Sequence, residues 1–234
     1  MNIVITGASN GIGFETALQL SLDEGNHLIA IARSADKLKQ LKEQALLANP
    51  KSNLIPFVFD IEKGNYSELK TKINELGTIH ILINNAGLMI KKPFFDLEDV
   101  DWMKLFQVNL FGPVKLIKTI APLMGKKRKA HIVNISSMGG FQGSMKFPGL
   151  SAYAASKAAL ANLTEVLAAE FEEKNIAVNC LAIGAVETDM LFKTFPEYKA
   201  PLKAIEMAEY IADFSLNGHK YYNGKILPVA LSTP

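Results

Sequence analysis

The sequence has 234 residues, 49% hydrophobic and 21% charged, which suits one large soluble globular domain. A net charge of +2 creates no strong electrostatic field, so we expect neither a nucleic acid nor a membrane surface as a partner. The single cysteine, Cys180, excludes an internal disulfide, and without a visible secretory signal or a membrane-spanning apolar run, we expect a cytoplasmic protein.

Short apolar segments rich in β-branched residues are distributed along the whole chain. Most are continuously apolar, which is typical of strands buried on both faces of a parallel sheet. Pro56 lacks the N–H group that a central strand needs, so we place the third strand at a sheet edge. The predicted strands are "NIVIT" (2–6), "HLIAIA" (27–32), "LIPFVF" (54–59), "IHILIN" (79–84), "HIVNIS" (131–136), "IAVNCLA" (176–182) and "KILPVA" (225–230).

Segments of helical periodicity fill most gaps between these strands, as at 15–24, 37–48 and 101–124. The alternation predicts βαβ units and therefore an α/β fold. We expect a Rossmann-like, doubly wound parallel sheet of about seven strands, with helices on both faces. Because no linker, repeat or low-complexity segment divides the chain, residues 1–234 are predicted to form a single domain.

The first predicted strand leads into "TGASNGIG", a glycine-rich turn followed at once by a helical pattern. Gly7, Gly11 and Gly13 lack a Cβ atom, so a pyrophosphate can approach the backbone, and the helix N-terminus attracts it. The spacing GxxxGxG differs from the common GxGxxG fingerprint, and many such turns are glycine-rich for steric reasons alone. The position between strand and helix favours dinucleotide binding.

Arg33 follows the second predicted strand, where many dinucleotide-binding folds carry an acidic residue that binds the ribose hydroxyls. An acidic side chain would repel a 2′-phosphate, whereas an arginine would bind it. The alternative is that Arg33 is only a solvated loop residue. We therefore predict NADP(H) as the preferred cofactor and NAD(H) as the second choice.

Six short motifs follow one another in order: "TGASNGIG" (6–13), "NNAG" (84–87), "VNLFG" (108–112), "IVNISS" (132–137), "YAASK" (153–157) and "AIGAVETDM" (182–190). Each is modest alone, but their order and separations are highly specific. In these motifs the chain resembles the short-chain dehydrogenase/reductase family over nearly its whole length. The resemblance implies an NADPH-dependent carbonyl reductase, or the reverse reaction, in a homodimer or homotetramer.

Tyr153 and Lys157 of "YAASK" are four residues apart, so on a helix they share one face. A free tyrosine has a pKa near ~10, and a nearby ammonium lowers it toward neutral pH. Ala154 and Ala155 leave room for a flat cofactor beside the pair. We predict Tyr153 as the general acid/base and Lys157 as the residue that lowers its pKa. Without the other motifs, this spacing would indicate an ordinary surface pair.

The resemblance implies two further catalytic residues. Ser137, the second serine of "IVNISS", matches the residue that polarises the substrate oxygen. Asn109 of "VNLFG" matches the residue that disturbs its helix and holds a water on the proton relay to the lysine. The alternatives are a capping serine and a satisfied buried amide.

The resemblance also implies cofactor contacts beyond the glycine turn. Asp60 and Ile61 match the adenine contact, Val186 and Thr188 match contacts to the nicotinamide carboxamide, and Lys157 would also bind the nicotinamide ribose. The full predicted set is Gly7, Ser9, Asn10, Gly11, Ile12, Gly13, Arg33, Asp60, Ile61, Asn84, Ala86, Gly87, Tyr153, Lys157, Gly184, Val186 and Thr188.

Two apolar segments are predicted to cover the nicotinamide: the loop after Ser137 and a lid at about residues 190–202. The alternative is that their apolar residues only pack the loops onto the domain. Because loops over a cleft are usually polar unless they bury something, we predict a neutral, largely apolar carbonyl or alcohol substrate that the lid encloses. The residues concerned are Met138, Phe141, Met145, Phe147, Leu191, Phe192, Phe195 and Tyr198.

The histidines are scattered and lack metal-ligand spacing, so no metal site is predicted. The competing function is a non-catalytic, NADP(H)-binding regulatory protein on the same scaffold, because a fold alone does not determine function. Such a protein could keep the glycine turn without keeping every catalytic residue. The presence of Asn109, Ser137, Tyr153 and Lys157 together favours the enzyme.

Overall fold

Seven parallel strands form one sheet in the computed structural model, which describes residues 1–231. The strands are β1 (Asn2–Thr6), β2 (His27–Ala32), β3 (Asn53–Val58), β4 (Ile81–Asn84), β5 (Ala130–Ser137), β6 (Ile176–Ile183), β7 (Val186–Glu187), β8 (Leu202–Lys203) and β9 (Ile226–Val229). The sheet order is β3-β2-β1-β4-β5-β6-β9, while β7 and β8 pair separately. β2 and β3 lie on one side of β1, and the later strands, from β4 onward, lie on its other side. This arrangement confirms the predicted doubly wound sheet.

The strands are apolar because both faces of the sheet are covered. Ile3, Val4 and Ile5 of β1 are fully buried although neighbouring side chains point to opposite faces. Pro56 lies in β3, which forms one edge of the sheet, so the missing N–H group costs no central ladder hydrogen bond. The predicted edge position is therefore confirmed.

Helices pack against both faces of the sheet. On one face, Leu20, Leu38 and Ile211 join the core, and on the other face Leu69 and Ile117 do. No helix within residues 1–231 is long and apolar enough to cross a bilayer. The helices are α1 (Gly11–Leu20), α2 (Ala35–Ala48), α3 (Tyr66–Asn74), α4 (Asp99–Phe106), α5 (Gly112–Ile120), α6 (Ser151–Glu170), α7 (Asp189–Thr194) and α8 (Ala204–Asn217).

The helical pattern at 101–124 is not one regular helix. α4 ends at Phe106, a π-helical turn occupies Gln107–Phe111, and α5 begins at Gly112. Pro113 lies in the first turn of α5, where its missing N–H group is tolerated. Apolar periodicity does not reveal the π turn, because the apolar residues continue through it.

The parallel arrangement places the carboxyl ends of β1, β2, β4, β5 and β6 at one edge of the sheet. In open α/β sheets, ligands bind outside these ends, where the strand order reverses. The glycine turn and the segments after β4, β5 and β6 all leave the sheet at this edge. The fold therefore concentrates the predicted motifs in one region.

Candidate active site

The glycine turn between β1 and α1 lies unusually close to the segment that follows β4. Gly7 has a φ of +73°, and a Cβ atom on it would lie 2.8 Å from Nδ2 of Asn85. A Cβ atom on Gly13 would lie 2.3 Å from the carbonyl oxygen of Gly7. Neither position has space for a side chain, so the turn keeps a bare backbone that a phosphate can approach.

Side-chain hydrogen bonds fix this turn to the end of β4. The Thr6 hydroxyl accepts from the N–H groups of Asn85 at 3.2 Å and Ala86 at 3.1 Å. The Asn85 amide donates in return to the Thr6 carbonyl oxygen at 3.0 Å. These reciprocal bonds hold the two segments in register where the predicted cofactor would lie.

A cleft of about 300 Å³ opens over the ends of these strands. Arg33 is exposed at the cleft and forms no ion pair with the described residues. The structure brings most predicted cofactor contacts together in its lining: Gly7, Ser9, Asn10, Gly11, Ile12, Gly13, Arg33, Asp60, Ile61, Ala86, Gly87, Tyr153, Lys157 and Thr188.

Three residues of the predicted set lie elsewhere. Asn84 is 2% exposed, and its amide donates to the Asn134 side chain at 2.8 Å inside the sheet. The neighbouring Asn85 lines the cleft in its place, because successive residues at a strand end point to opposite sides. Gly184 and Val186 line a second cavity. The motif "NNAG" alone does not distinguish its two asparagines.

The second cavity, of about 250 Å³, adjoins the first and contains no charged residue among its described lining. Of the residues predicted to surround the substrate, those that line it are Met138, Phe147, Leu191, Phe195 and Tyr198. Phe141, Met145 and Phe192 do not, and Phe192 is 66% exposed. Segment composition predicted an apolar wall but could not assign its individual members.

Tyr153 lines both cavities and lies one helical turn from Lys157 on α6. Burial raises the pKa of Tyr153 above its ordinary value, and the Ser137 hydroxyl acts in the opposite direction. The expected lowering of this pKa by Lys157 is therefore not seen. The loss of hydration on burial outweighs the stabilisation of the phenolate by the Ser137 hydroxyl.

Lys157 is 4% exposed, and its ammonium donates to the carbonyl oxygen of Ile135 at 2.9 Å. Burial lowers the pKa of Lys157 to about 8, because the charged form loses its hydration. A Cβ atom on Gly87 would lie 3.3 Å from the Lys157 ammonium, so the glycine keeps this approach open. At neutral pH the cleft is therefore lined by a neutral phenol and a charged ammonium.

Ser137 ends β5 and lines the second cavity. Its hydroxyl accepts from the N–H group of Gly139 at 3.1 Å, which begins the short turn after the strand. A hydroxyl that accepts one hydrogen bond can still donate another. The capping role and a substrate contact are thus compatible.

Asn109 lies in the π-helical turn and is fully buried. Its side-chain oxygen accepts from the Leu88 N–H group at 2.8 Å. Its amide nitrogen donates to the Leu88 carbonyl oxygen and to the Ser156 hydroxyl, both at 2.9 Å. Both amide hydrogens are used, so a water on a proton relay could be held only by donating to an oxygen of Asn109. The side chain also fixes the Leu88 backbone next to Gly87, and π turns are frequent at functional sites.

The predicted lid begins with a short helix, α7, where the sequence shows little regular pattern. Thr188 caps this helix by accepting from the Leu191 N–H group at 3.2 Å. β7 and β8 pair before and after the segment and join its two ends. Within residues 1–231, no group of three or more His, Cys, Asp or Glu side chains could hold a metal ion.

Known proteins resemble the chain over almost its whole length. The family model for short chain dehydrogenase matches residues 1–199. The 3-oxoacyl-(acyl-carrier-protein) reductase FabG of Thermotoga maritima is 32% identical over 97% of this chain and 94% of its own. The crystal structure of levodione reductase has a TM-score of 0.86 at 26% identity, over 98% of this chain and 95% of its own. ElxO with NADP bound has a TM-score of 0.83 at 26% identity, over 97% and 96%.

Proposed function

Because the chain belongs to the short-chain dehydrogenase/reductase family of oxidoreductases, which act on C=O and CH–OH groups, we propose that it reduces a carbonyl compound with NADPH. One observation carries this proposal: Tyr153 lines both the cleft and the apolar cavity. A proton donor at this junction can serve a substrate in one cavity while a cofactor occupies the other.

The residues of the cleft fit a dinucleotide. The bare backbone at Gly7 and Gly13 leaves a cradle that any side chain would fill. Arg33 supports the preference for the phosphorylated cofactor, because a free guanidinium can pair with a 2′-phosphate. ElxO, similar in fold, has been solved with NADP bound.

Each catalytic residue has a distinct proposed role. NADPH, when bound, supplies the hydride for the carbonyl carbon. The Ser137 hydroxyl hydrogen-bonds the carbonyl oxygen and orients it toward Tyr153. The Tyr153 phenol donates its proton to that oxygen. Asn109 holds the backbone beside Lys157 in place through its bonds to Leu88.

The pKa directions of Tyr153 and Lys157 suit reduction at neutral pH. Burial raises the pKa of Tyr153, so the phenol keeps the proton that it has to donate. The pKa of Lys157 is about 8, so its ammonium remains charged at pH 7. Its charge stabilises the phenolate that forms as the proton leaves. Lys157 therefore acts mainly after the proton has left, by stabilising the Tyr153 phenolate.

The second cavity supports a neutral, largely apolar substrate with a ring or a medium chain, enclosed by a lid at about residues 190–202. Its described lining is uncharged, and Phe195 and Tyr198 of the lid form one wall. The similarity to the Thermotoga maritima reductase favours a second candidate substrate, a 3-oxoacyl thioester. The apolar lining suits an acyl chain as well as a ring.

The alternative, a non-catalytic NADP(H)-binding regulatory protein, requires no proton donor at the junction of two cavities. A screen of ketones, aldehydes, alcohols and 3-oxoacyl thioesters, followed by NADPH absorbance, tests the choice. We expect turnover of apolar carbonyls that Tyr153→Phe lowers by about 10²–10⁴-fold. NADPH binding without turnover of any of these compounds would instead support the regulator.

We further propose that the enzyme forms a homodimer or homotetramer. Phe94, Phe95, Val100 and Met103 are all exposed before and along α4. Exposed apolar patches are typical of interaction surfaces. Light scattering after size exclusion should show an oligomer that Met103→Glu weakens. A wild-type monomer at micromolar concentration would contradict the proposal.

A further inference from the structure

The lid contacts the glycine turn directly at the first residue of α7. The Asn10 side-chain amide donates to the Asp189 carboxylate at 2.6 Å. The adjacent Thr188 also packs against the turn, because a Cβ atom on Gly11 would lie 3.1 Å from its methyl group. The start of the lid therefore packs on the turn that the cofactor phosphates would contact.

Neither partner of this contact uses it to cap a helix. Asn10 is the N-cap residue of α1, where asparagine usually accepts from the first N–H groups of the helix. Within the described chain, its side chain makes no such bond and is directed to the lid instead. Asp189 places a carboxylate beside an anion-binding turn, where its charge opposes phosphate binding. Helix capping alone does not explain the pair, because Thr188 already caps α7.

We propose that Asp189 is a positioning residue that couples the lid to the glycine turn. The inference rests on the proposed function, since it requires the turn to bind NADPH. A bound cofactor restricts the motion of the turn, and the hydrogen bond between Asn10 and Asp189 then restricts the motion of α7. Met190, the next residue, lines both cavities. Cofactor binding thereby favours the closed lid, and by linkage a bound carbonyl compound strengthens cofactor binding.

The far side of the lid is held by a contact that does not involve the turn. The Lys91 ammonium lies 4.0 Å from the centre of the Phe195 ring, a cation–π contact. The pairing of β7 with β8 likewise joins the ends of the segment without Asn10. The coupling to the cofactor is therefore separable from the general attachment of the lid.

Hydrogen exchange of the full-length protein, with and without saturating NADPH, tests this coupling. In the wild type, NADPH should slow exchange at 7–13 and, by about tenfold, at 189–194, consistent with one hydrogen bond to a charged group. Asp189→Ala should remove the protection at 189–194 and leave that at 7–13, and Asn10→Ala should also remove the protection at 189–194. Combining the two should add nothing, because they break the same bond.

Two variants control for helix stability and for charge. Asp189→Asn keeps an oxygen that accepts from Asn10, so it should retain part of the protection at 189–194 that Asp189→Ala loses. Lys193→Ala alters an exposed residue of α7 and should retain it as well. As a second measurement, Asp189→Ala should raise the KM for the carbonyl substrate by about tenfold, with little change in kcat. The Kd for NADPH should not rise, because the variant removes a charge that opposes phosphate binding.

Full protection of 189–194 in Asp189→Ala would overturn the inference, as would an equal loss in Lys193→Ala or in Asp189→Asn. If NADPH protects 7–13 while those variants contradict the coupling, the proposed function stands and only the role of Asp189 fails. If NADPH protects neither segment in the wild type, the proposed cofactor fails and this inference fails with it.

Discussion

The two adjoining cavities are built from different parts of the fold. The proposed cofactor cleft is shaped by backbone: a Cβ atom at Gly13 would lie 2.3 Å from a carbonyl oxygen, and Thr6 and Asn85 hold the turn against the end of β4. The proposed substrate cavity is shaped largely by side chains on loops, such as Phe147 and Phe195. Strand ends position the first cavity, whereas the second is also lined by segments outside the main sheet, such as the lid.

Because of this difference, the linings of the two cavities tolerate substitutions to different extents. The glycine cradle has no space for side chains at Gly7 and Gly13, while a wall of side chains can be altered one residue at a time. Tyr153, the proposed proton donor, lines both cavities, so its role should be unaffected by which substrate the loops select. Substitutions in each region should then have separable effects on cofactor and substrate.

The largest effect is expected where the cavities meet. Tyr153→Phe removes the proton donor but keeps the ring, so kcat should fall by about 10²–10⁴-fold while NADPH binding stays close to the wild type. Steady-state kinetics and NADPH titration measure the two quantities. Undiminished turnover in this variant would show that the proton comes from another group.

A substitution at the rim of the cleft should affect the cofactor alone. Arg33→Ala removes a charge-assisted contact of roughly 1.5–3 kcal/mol to the 2′-phosphate. The Kd for NADPH should rise about tenfold to a hundredfold, whereas the Kd for NADH should hardly change. Isothermal titration with both cofactors measures this, and NADH provides the internal control. Equal losses for both would mean that Arg33 acts on the fold.

The pH dependence of reduction should report the ammonium beside the junction. Burial lowers the pKa of Lys157 to about 8, so its charge is present below that pH and is lost above it. The value of kcat/KM should be constant below pH 8 and fall by up to about tenfold per unit above it, because the phenolate loses its stabilising charge. A profile that stays flat to pH 10 would contradict a role for this charge.

The smallest effect is expected in the substrate cavity, and the lid supplies its own control. Phe195 lines the cavity, while Phe192 on the same lid is 66% exposed and does not. In a series of carbonyl compounds of increasing chain length, the transition-state stabilisation calculated from kcat/KM should increase by at most ~0.8 kcal/mol per methylene. Phe195→Ala should reduce this gradient and leave NADPH binding intact, whereas Phe192→Ala should change neither. A higher kcat/KM for small charged carbonyl compounds than for every apolar one would refute the proposed substrate class.

The sequence by itself determined the features that depend on local chemistry. Continuous apolar runs predicted a parallel sheet, Pro56 predicted an edge strand, and the glycines of "TGASNGIG" predicted a bare turn before a helix. The four-residue spacing of Tyr153 and Lys157 was enough to place both on one helix face. Each of these features depends on backbone geometry within a few residues, so the residue types and their spacing are enough to predict it.

Only the tertiary structure decided the features that depend on distant neighbours. It distinguished Asn85 from Asn84, and it separated Phe195 from Phe192. It also reversed the expected direction of the Tyr153 pKa, because burial is a property of the whole fold. The bond between Asn10 and Asp189 joins residues 179 positions apart, which no local pattern indicates. Such contacts arise from the packing of separate elements, so their residues become partners only once the chain has folded.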